Sequence, residues 1–357
     1  PTQFYPDTVL GIINDLSKSL SENDTPLVNT YLQQLGKTPF FKQQKPSPYE
    51  EAISLTWFLE NVFYAAAGNI LSSMKKTFPG TMCDNHPLIQ LGFWPGGDRD
   101  GNPFVTSDTT IKVARALRNS ITRCYYLEVR RLKRRLTFKG VDTILSGLEQ
   151  RLYQALFSTE PQQRLTVTDI LLSLEQALQI LNDQHGGLFK GLIENLVNKV
   201  QVFGLYFATL DIRQNSLIHT QVWESLANEG VSVAKNYISQ DAGMKMKFLG
   251  NIEPSTVRVI TDEMAKETLN SIRAMKTIQE ENGEAGCNRY IISHCNSALQ
   301  VMELYGLFVL GGWQPNEITA DIVPLFETIE DLRNASQIMK TLYEDKTYGQ
   351  HLKRRNM

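Results

Sequence analysis

Three short strings hold the residue types from which chemistry could be built. The first is Gly96-Gly97-Asp98-Arg99-Asp100-Gly101-Asn102-Pro103. Its glycines and its proline specify a tight, fixed backbone path. Arg99 stands between two aspartates. Such an Arg can bind an anion while the carboxylates fix its orientation, or the three can form ion pairs within a turn. The second string is Leu210-Asp211-Ile212-Arg213-Gln214. An Arg at a strand end can fork onto phosphate oxygens through paired N–H bonds, or it can pair with a neighbouring acid. The third is Val323-Pro324-Leu325-Phe326-Glu327-Thr328-Ile329-Glu330-Asp331-Leu332, where a strand gives way to a helix. A carboxylate at that junction can hold Mg²⁺, which accepts one or two carboxylates and otherwise takes water or substrate oxygen. The alternative is that all three acids complement the helix N-terminus, which is the reading for Glu330 and Asp331.

Two further clusters are read more plainly. His294-Cys295 follows the apolar run Tyr290–Ser293 and could form a nucleophile pair, but no third group to orient it is identifiable. The run Arg130-Arg131-Leu132-Lys133-Arg134-Arg135 is expected near a helix C-terminus, where cations are favourable. A solvated helix end accounts for it better than nucleic-acid binding, because the formal net charge of the chain is −2. The same balance argues against a membrane-surface protein, and the longest apolar runs, such as Leu205–Leu210 and Ile322–Phe326, are too short to span a bilayer. Cys83, Cys124, Cys287 and Cys295 form no C-x-x-C pair, so reduced thiols in a cytoplasmic protein are expected rather than zinc or disulfides.

The elements that must position these strings are mostly helical. Val9, Leu10, Ile13, Leu16 and Leu20 keep helical spacing, with Asp7 placed to cap them. Pro39–Pro48 reads as a loop. Ser47-Pro48-Tyr49-Glu50 has the form of a capping box opening a helix that runs to about Thr77 and stops at Pro79-Gly80. Further helices are expected at Ser107–Leu136, Val141–Phe157, Val167–Asp183 and Leu188–Val202. Buried strands are expected at Leu88–Trp94, Leu205–Ile212, Tyr290–Ser293 and Asp321–Phe326. The last three are each followed by a helical pattern, at Ser216–Asn228, Ala298–Leu310 and Ile329–Tyr343. Strand followed by helix, repeated, means parallel strands with helical crossovers. Polar residues just past each run then gather at one end of the sheet, as in parallel barrels.

Together, GGDRDGNP, LDIRQ and PLFETIEDL resemble signature strings of the phosphoenolpyruvate carboxylases, and they occur in that family's order. The aromatic pair Phe93-Trp94 before the first string, and Tyr290-Ile291-Ile292-Ser293, resemble the family as well. The resemblance implies a mainly α fold with a few parallel strands, part of a TIM-like α/β barrel with many flanking helices. It divides the chain into N-terminal helices (1–87), a GGDRDGNP and helical region (88–204) and a strand–helix barrel segment (205–357). It implies bicarbonate addition to phosphoenolpyruvate, giving oxaloacetate and phosphate. Arg213 would grip the substrate phosphate, with Arg99 and Gln214 as further substrate contacts, and Glu327 would bind Mg²⁺ or Mn²⁺. Gly96, Gly97, Asp98, Asp100, Gly101, Asn102 and Asp211 would support the motifs. A cytoplasmic homo-oligomer, a tetramer in the family, is implied for the whole enzyme.

The ends shape a further expectation. Pro1-Thr2-Gln3 looks like the remainder of the family's T-A-H-P-T-E/Q motif with its essential His upstream, although Phe4-Tyr5-Pro6-Asp7 departs from the family's basic pair. Arg355-Asn356-Met357 resembles the lead into a segment that supplies a second metal carboxylate and a lysine. The expectation is therefore an internal piece that is inactive alone. The competing readings are a non-catalytic binding or regulatory relative that keeps the fold, and an anion-binding helical module unrelated to carboxylation.

Overall fold

The structure is a computed structural model that describes residues 7–40, 46–79, 88–158, 164–254, 257 and 260–356. Pro1–Pro6, Cys83, Gly80, Met357 and residues 41–45 of the expected Pro39–Pro48 loop lie outside the described residues, as does the Asp7 side chain.

The first half is helical. A pair of helices, α1 (Asp7–Ser21) and α2 (Thr25–Lys37), pack on each other. The helix expected from Pro48 to Thr77 forms as α3 (Pro48–Phe58), a π-turn (Leu59–Phe63) and α4 (Tyr64–Thr77). Its capping box is present: Ser47 Oγ accepts from the Glu50 N–H, and Glu50 accepts from the Ser47 N–H at 2.8 Å. The π-turn leaves Val62 and Phe63 exposed and brings Tyr64, Ala67, Gly68 and Leu71 onto the buried face. Four more helices follow: α5 (Ser107–Lys133), α6 (Val141–Phe157), α7 (Val167–Gln184) and α8 (Lys190–Phe203). Their apolar faces, among them Leu117, Ile121, Leu145, Leu148, Leu174, Leu181 and Leu196, interlock in a continuous core.

A buried ion pair ties α4, α5 and α8 together. Lys199 Nζ donates to both Glu128 oxygens at 2.8 and 2.9 Å, and Tyr64 donates its hydroxyl to the same carboxylate. The ammonium also lies 4.5 Å from the centre of the Tyr64 ring. Gly68 makes room for this arrangement, since a Cβ there would lie 2.4 Å from Lys199 Cε.

The second half alternates strand and helix, as expected. β1 (Gly92–Phe93) pairs in parallel with β2 (Thr209–Leu210), and β3 (Ile212–Asn215), β4 (Arg289–Ser293) and β5 (Asp321–Pro324) form a parallel ladder in that order. β2 and β3 are one run of chain interrupted at Asp211, and an Asp98–Arg213 bridge carries the first pairing forward. The strands therefore lie side by side as β1, β2–β3, β4 and β5. The strand expected at Leu205–Ile212 starts late. Gly204 and Phe207, both at positive φ, fold Leu205–Ala208 into a buried turn, and the strand then continues to Asn215. The described strands form an open sheet and not a closed barrel.

Crossover helices cover the sheet. α9 (Ser216–Asn228), α10 (Ser232–Ile238), α11 (Ala242–Gly250) and α12 (Glu263–Asn282) lie between β3 and β4; α13 (Ala298–Leu310) lies between β4 and β5. α14 (Ile329–Glu344) and α15 (Lys346–Arg354) follow. α13 is buried on every side, so its one carboxylate needs partners. Glu303 accepts from Thr220 Oγ1 at 2.7 Å and from the Tyr237 hydroxyl at 2.6 Å. Among the described residues, no helix is long and apolar enough to cross a membrane.

Two stability measurements follow. Lys199→Met should lower urea-unfolding stability by about 3–5 kcal/mol, because it strands Glu128 in the core; a loss under about 1 kcal/mol would show that the pair contributes little. Burial also holds the His219 imidazole down to about 3 and that of His351 down to about 4. An unfolded histidine titrates near ~6.5. Between these values the unfolded chain takes up protons that the folded chain refuses. Stability is therefore full above about pH 6.5 and falls as the pH drops toward about 4. The urea midpoint should be lower at pH 5 than at pH 7, and His351→Phe should reduce that difference.

Candidate active site at the strand ends

The GGDRDGNP segment leaves β1, turns once, and lies back on the central strand. Gly97 and Asp98 donate to the Trp94 carbonyl at 3.0 and 3.2 Å, closing the turn. The chain then pairs with β3: Arg213 N donates to Gly97 O at 3.0 Å, and Arg99 N donates to Arg213 O at 2.9 Å. Gly97 is required by this approach, because a Cβ would lie 2.0 Å from the Asp211 carbonyl oxygen. Gly96 accepts a 2.6 Å bond from Thr110 Oγ1 of α5, and Asn102 Oδ1 accepts from Phe104 N at 3.1 Å just past the positive-φ Gly101. Thr106 then caps α5.

Extended backbone sends alternate side chains to opposite faces. Asp98 and Asp100 therefore share one face with Arg213, and Arg99 goes to the other. Arg213 Nη2 donates to Asp100 Oδ2 at 3.1 Å and to Glu327 Oε1 at 2.6 Å, and its Nε lies 4.0 Å from Asp98 Oδ1. The Trp94 ring covers the guanidinium at 5.1 Å, and the indole N–H donates to Asp98. The two aspartates thus orient Arg213, and not the Arg99 that they flank in sequence. Arg213 Nε is buried without a hydrogen-bond partner. The same holds for Arg99 Nε.

Arg99 is drawn under the sheet. Its Nη1 donates to the Glu267 carbonyl at 2.8 Å, and its Nη2 lies 3.7 Å from the Glu267 carboxylate. That carboxylate also accepts from Ser107 N and Oγ at 3.0 and 3.1 Å, joining α12 to the start of α5. Gln214 is on the face opposite Arg213, buried, with Oε1 accepting from Asn215 N at 3.0 Å. Asp211 turns toward the start of β4, where it meets Arg289 at 2.8 Å, and burial raises its carboxyl above the usual range. Of the expected site residues, the structure therefore gathers Arg213, Asp98, Asp100 and Glu327. It places Arg99, Gln214 and Asp211 outside that cluster. Glu267 was not anticipated. Its signal was available, since Asp262 and the spaced Ala265, Leu269, Ile272 and Met275 mark a capped amphipathic helix.

Glu327 follows β5 through backbone pairing: Leu325 N donates to Ile292 O at 2.9 Å, and Cys295 N to Leu325 O at 3.2 Å. One residue later, Thr328 and Asp331 form a capping box for α14, so Asp331 serves the helix end as expected. His294, at positive φ, presents Nε2 3.5 Å from Glu327 Oε2. Cys295 does not join it. Its thiol points to Ser297 O at 3.7 Å, and burial pushes it up to about 11, which disfavours the thiolate.

Three carboxylates surround one guanidinium, an excess of negative charge that suits a divalent cation. Among the described residues no group of three or more His, Cys, Asp and Glu side chains could hold a metal. A closed zinc-type centre therefore does not fit.

A sequence profile of the family described as phosphoenolpyruvate carboxylase matches residues 13–166 and 149–357. The chain belongs to the phosphoenolpyruvate carboxylase family. It is 26% identical to a phosphoenolpyruvate carboxylase of Gloeobacter violaceus, covering 96% of this chain and 44% of that protein. It is 28% identical to the one of Synechocystis sp., covering 86% of this chain and 36% of that protein. With the Vibrio atlanticus carboxylase the identity is 27%, covering 92% and 41%. The chain thus spans about two-fifths of the length of these carboxylases.

Because Gly97 lies against the Asp211 carbonyl, Gly97→Ala should force the loop off β3. We expect a loss of about 1–3 kcal/mol or more in urea unfolding, with altered Trp94 fluorescence. Gly101→Ala, where a Cβ would meet nothing within 4 Å, should leave that emission nearer the parent's, its strain being confined to a positive φ.

Proposed function

We propose that the chain supplies part of the active centre of a phosphoenolpyruvate carboxylase, which adds bicarbonate to phosphoenolpyruvate and forms oxaloacetate and phosphate. The observation that carries this reading is the placement of Arg213. In a member of this family, it stands within β3 of the central strand, stacked under Trp94, with a buried donor left unpaired and Glu327 within 2.6 Å.

Arg213 would bind the substrate phosphoryl group, offering Nε and an Nη N–H as a fork. Asp98 and Asp100 hold the guanidinium in place, so that little reorganisation accompanies binding. Glu327 would hold Mg²⁺, which supplies Lewis-acid stabilisation of the enolate formed when the phosphoryl group leaves. The Arg213–Glu327 contact would then be exchanged for phosphate and metal contacts, keeping charge balanced on both sides. Arg99 acts at a distance: its N–H fixes the Arg213 carbonyl, and its guanidinium anchors the loop to Glu267. The remaining parts of the centre, the tetrameric assembly and a cytoplasmic location belong to the same reading.

The test is oxaloacetate formation by the full gene product that carries this sequence, with saturating Mg²⁺. Arg213→Ala should lower kcat/KM for phosphoenolpyruvate by roughly 10²-fold or more. Glu327→Ala should do the same and raise the Mg²⁺ requirement. The present chain alone should give no oxaloacetate above a blank without protein. Wild-type kcat/KM in Arg213→Ala would overturn the assignment. An inactive full gene product would favour the second reading, a regulatory relative in which Arg213 only pairs with its three carboxylates.

A further inference from the structure

The basic run at the end of α5 is more than a solvated helix end. Leu127, Arg130, Arg131, Lys133, Arg134 and, from α6, Glu149 line a concavity of about 490 Å³. That volume falls within the range of small-molecule clefts, roughly 300–1,000 Å³. Its lining sets four cations against one carboxylate, in a chain whose overall formal charge is −2. Glu149 is already engaged, by Lys133 at 2.5 Å and by Arg130 at 3.5 Å. Among the described residues, no carboxylate lies within 4.0 Å of Arg131 or Arg134. Arg130 and Arg134 stand one helical turn apart, where like charges repel. The helix C-terminus would be satisfied by fewer cations. The Tyr126 ring lies 5.6 Å from the Arg130 guanidinium and packs against Tyr153 at 6.0 Å, which restrains Arg130 beside the cavity.

We propose that this concavity binds a small soluble anion with two or more adjacent phosphate groups. Guanidinium groups match phosphate oxygens in a planar fork, and several of them within one helical turn suit closely spaced charges better than a single one. The depression is open to solvent, and the short extent of its charged surface favours a small molecule over a nucleic acid, which needs a long basic track. The site is independent of the carboxylase reading, because it shares no residue with the Arg213 cluster.

The experiment is isothermal titration of the chain with pyrophosphate in magnesium-free buffer at about 0.15 M salt. One saturable site is expected, with orthophosphate binding more weakly. Arg131→Gln combined with Arg134→Gln should raise Kd at least tenfold. Both side chains are exposed, so the unfolding midpoint should not move. Arg213→Gln should leave Kd unchanged. Absence of saturable binding, an unchanged Kd in the double variant, or loss of binding in Arg213→Gln would each overturn the proposal. Vesicles carrying a phosphoinositide headgroup and a duplex DNA serve as the other arms. Binding confined to either one, with none to pyrophosphate, would also overturn it.

Discussion

Two backbone hydrogen bonds, from Arg213 to Gly97 and from Arg99 to Arg213, set the directions of Asp98, Arg99, Asp100 and Arg213. They lay the glycine-rich segment on the central strand as a short added strand, and the alternation of extended backbone does the sorting. Asp98 and Asp100 fall on the side of Arg213, while Arg99 and Gln214 fall on the side of the helices. No side-chain interaction could make that division as reliably, since moving the register by one residue would exchange the two faces. The absence of a side chain at Gly97 is what permits the approach.

The frame around this contact is redundant by design of its connections. Glu267 clamps Arg99 and the start of α5, so the loop, the helix that follows it and α12 form one unit. Glu303 links α13 to α9 and α10 in the same manner, and Lys199–Glu128–Tyr64 links the helices of the first half. In each case a carboxylate that would be costly to bury alone is met by several donors. The site's own carboxylates differ. Asp100 and Glu327 share one nitrogen of Arg213 while the Nε donor beside Asp98 stays unpaired, as does the Nε of Arg99.

Much of this was legible in the sequence, for identifiable reasons. Strongly periodic helices such as Val141–Phe157, Ser216–Asn228 and Ala298–Leu310 were placed at their observed limits, because local apolar spacing matches the surface they bury. Parallel pairing followed from the strand–helix alternation. The helices α2, α10, α11, α12 and α15 do not emerge from the sequence reading, although α12 carries a cap and a spaced apolar stripe. At the site, the strings named the right neighbourhood but not the roles. Whether an Arg is oriented by the acids beside it in sequence, or supplies its backbone while they orient another, depends on a pairing partner more than a hundred residues away. Nor can a strand pattern announce that Gly204 and Phe207 will turn a run of apolar residues into a buried corner.

The π-turn at Leu59–Phe63 places a different kind of demand on the chain. A residue in an α-helix advances about 100° around the axis, and a π-turn accommodates one extra residue without passing that rotation on. The helix Pro48–Thr77 can therefore keep the capping box at its start and the Tyr64, Gly68 and Leu71 face at its end in phase, although their spacing is not that of a regular helix. Chain length here is a constraint in its own right. Were the same residues wound as a regular α-helix with no π-turn, Tyr64 would be carried about 100° around the axis and away from Glu128, whereas a chain one residue shorter between 59 and 63 would let a regular helix keep both faces in phase.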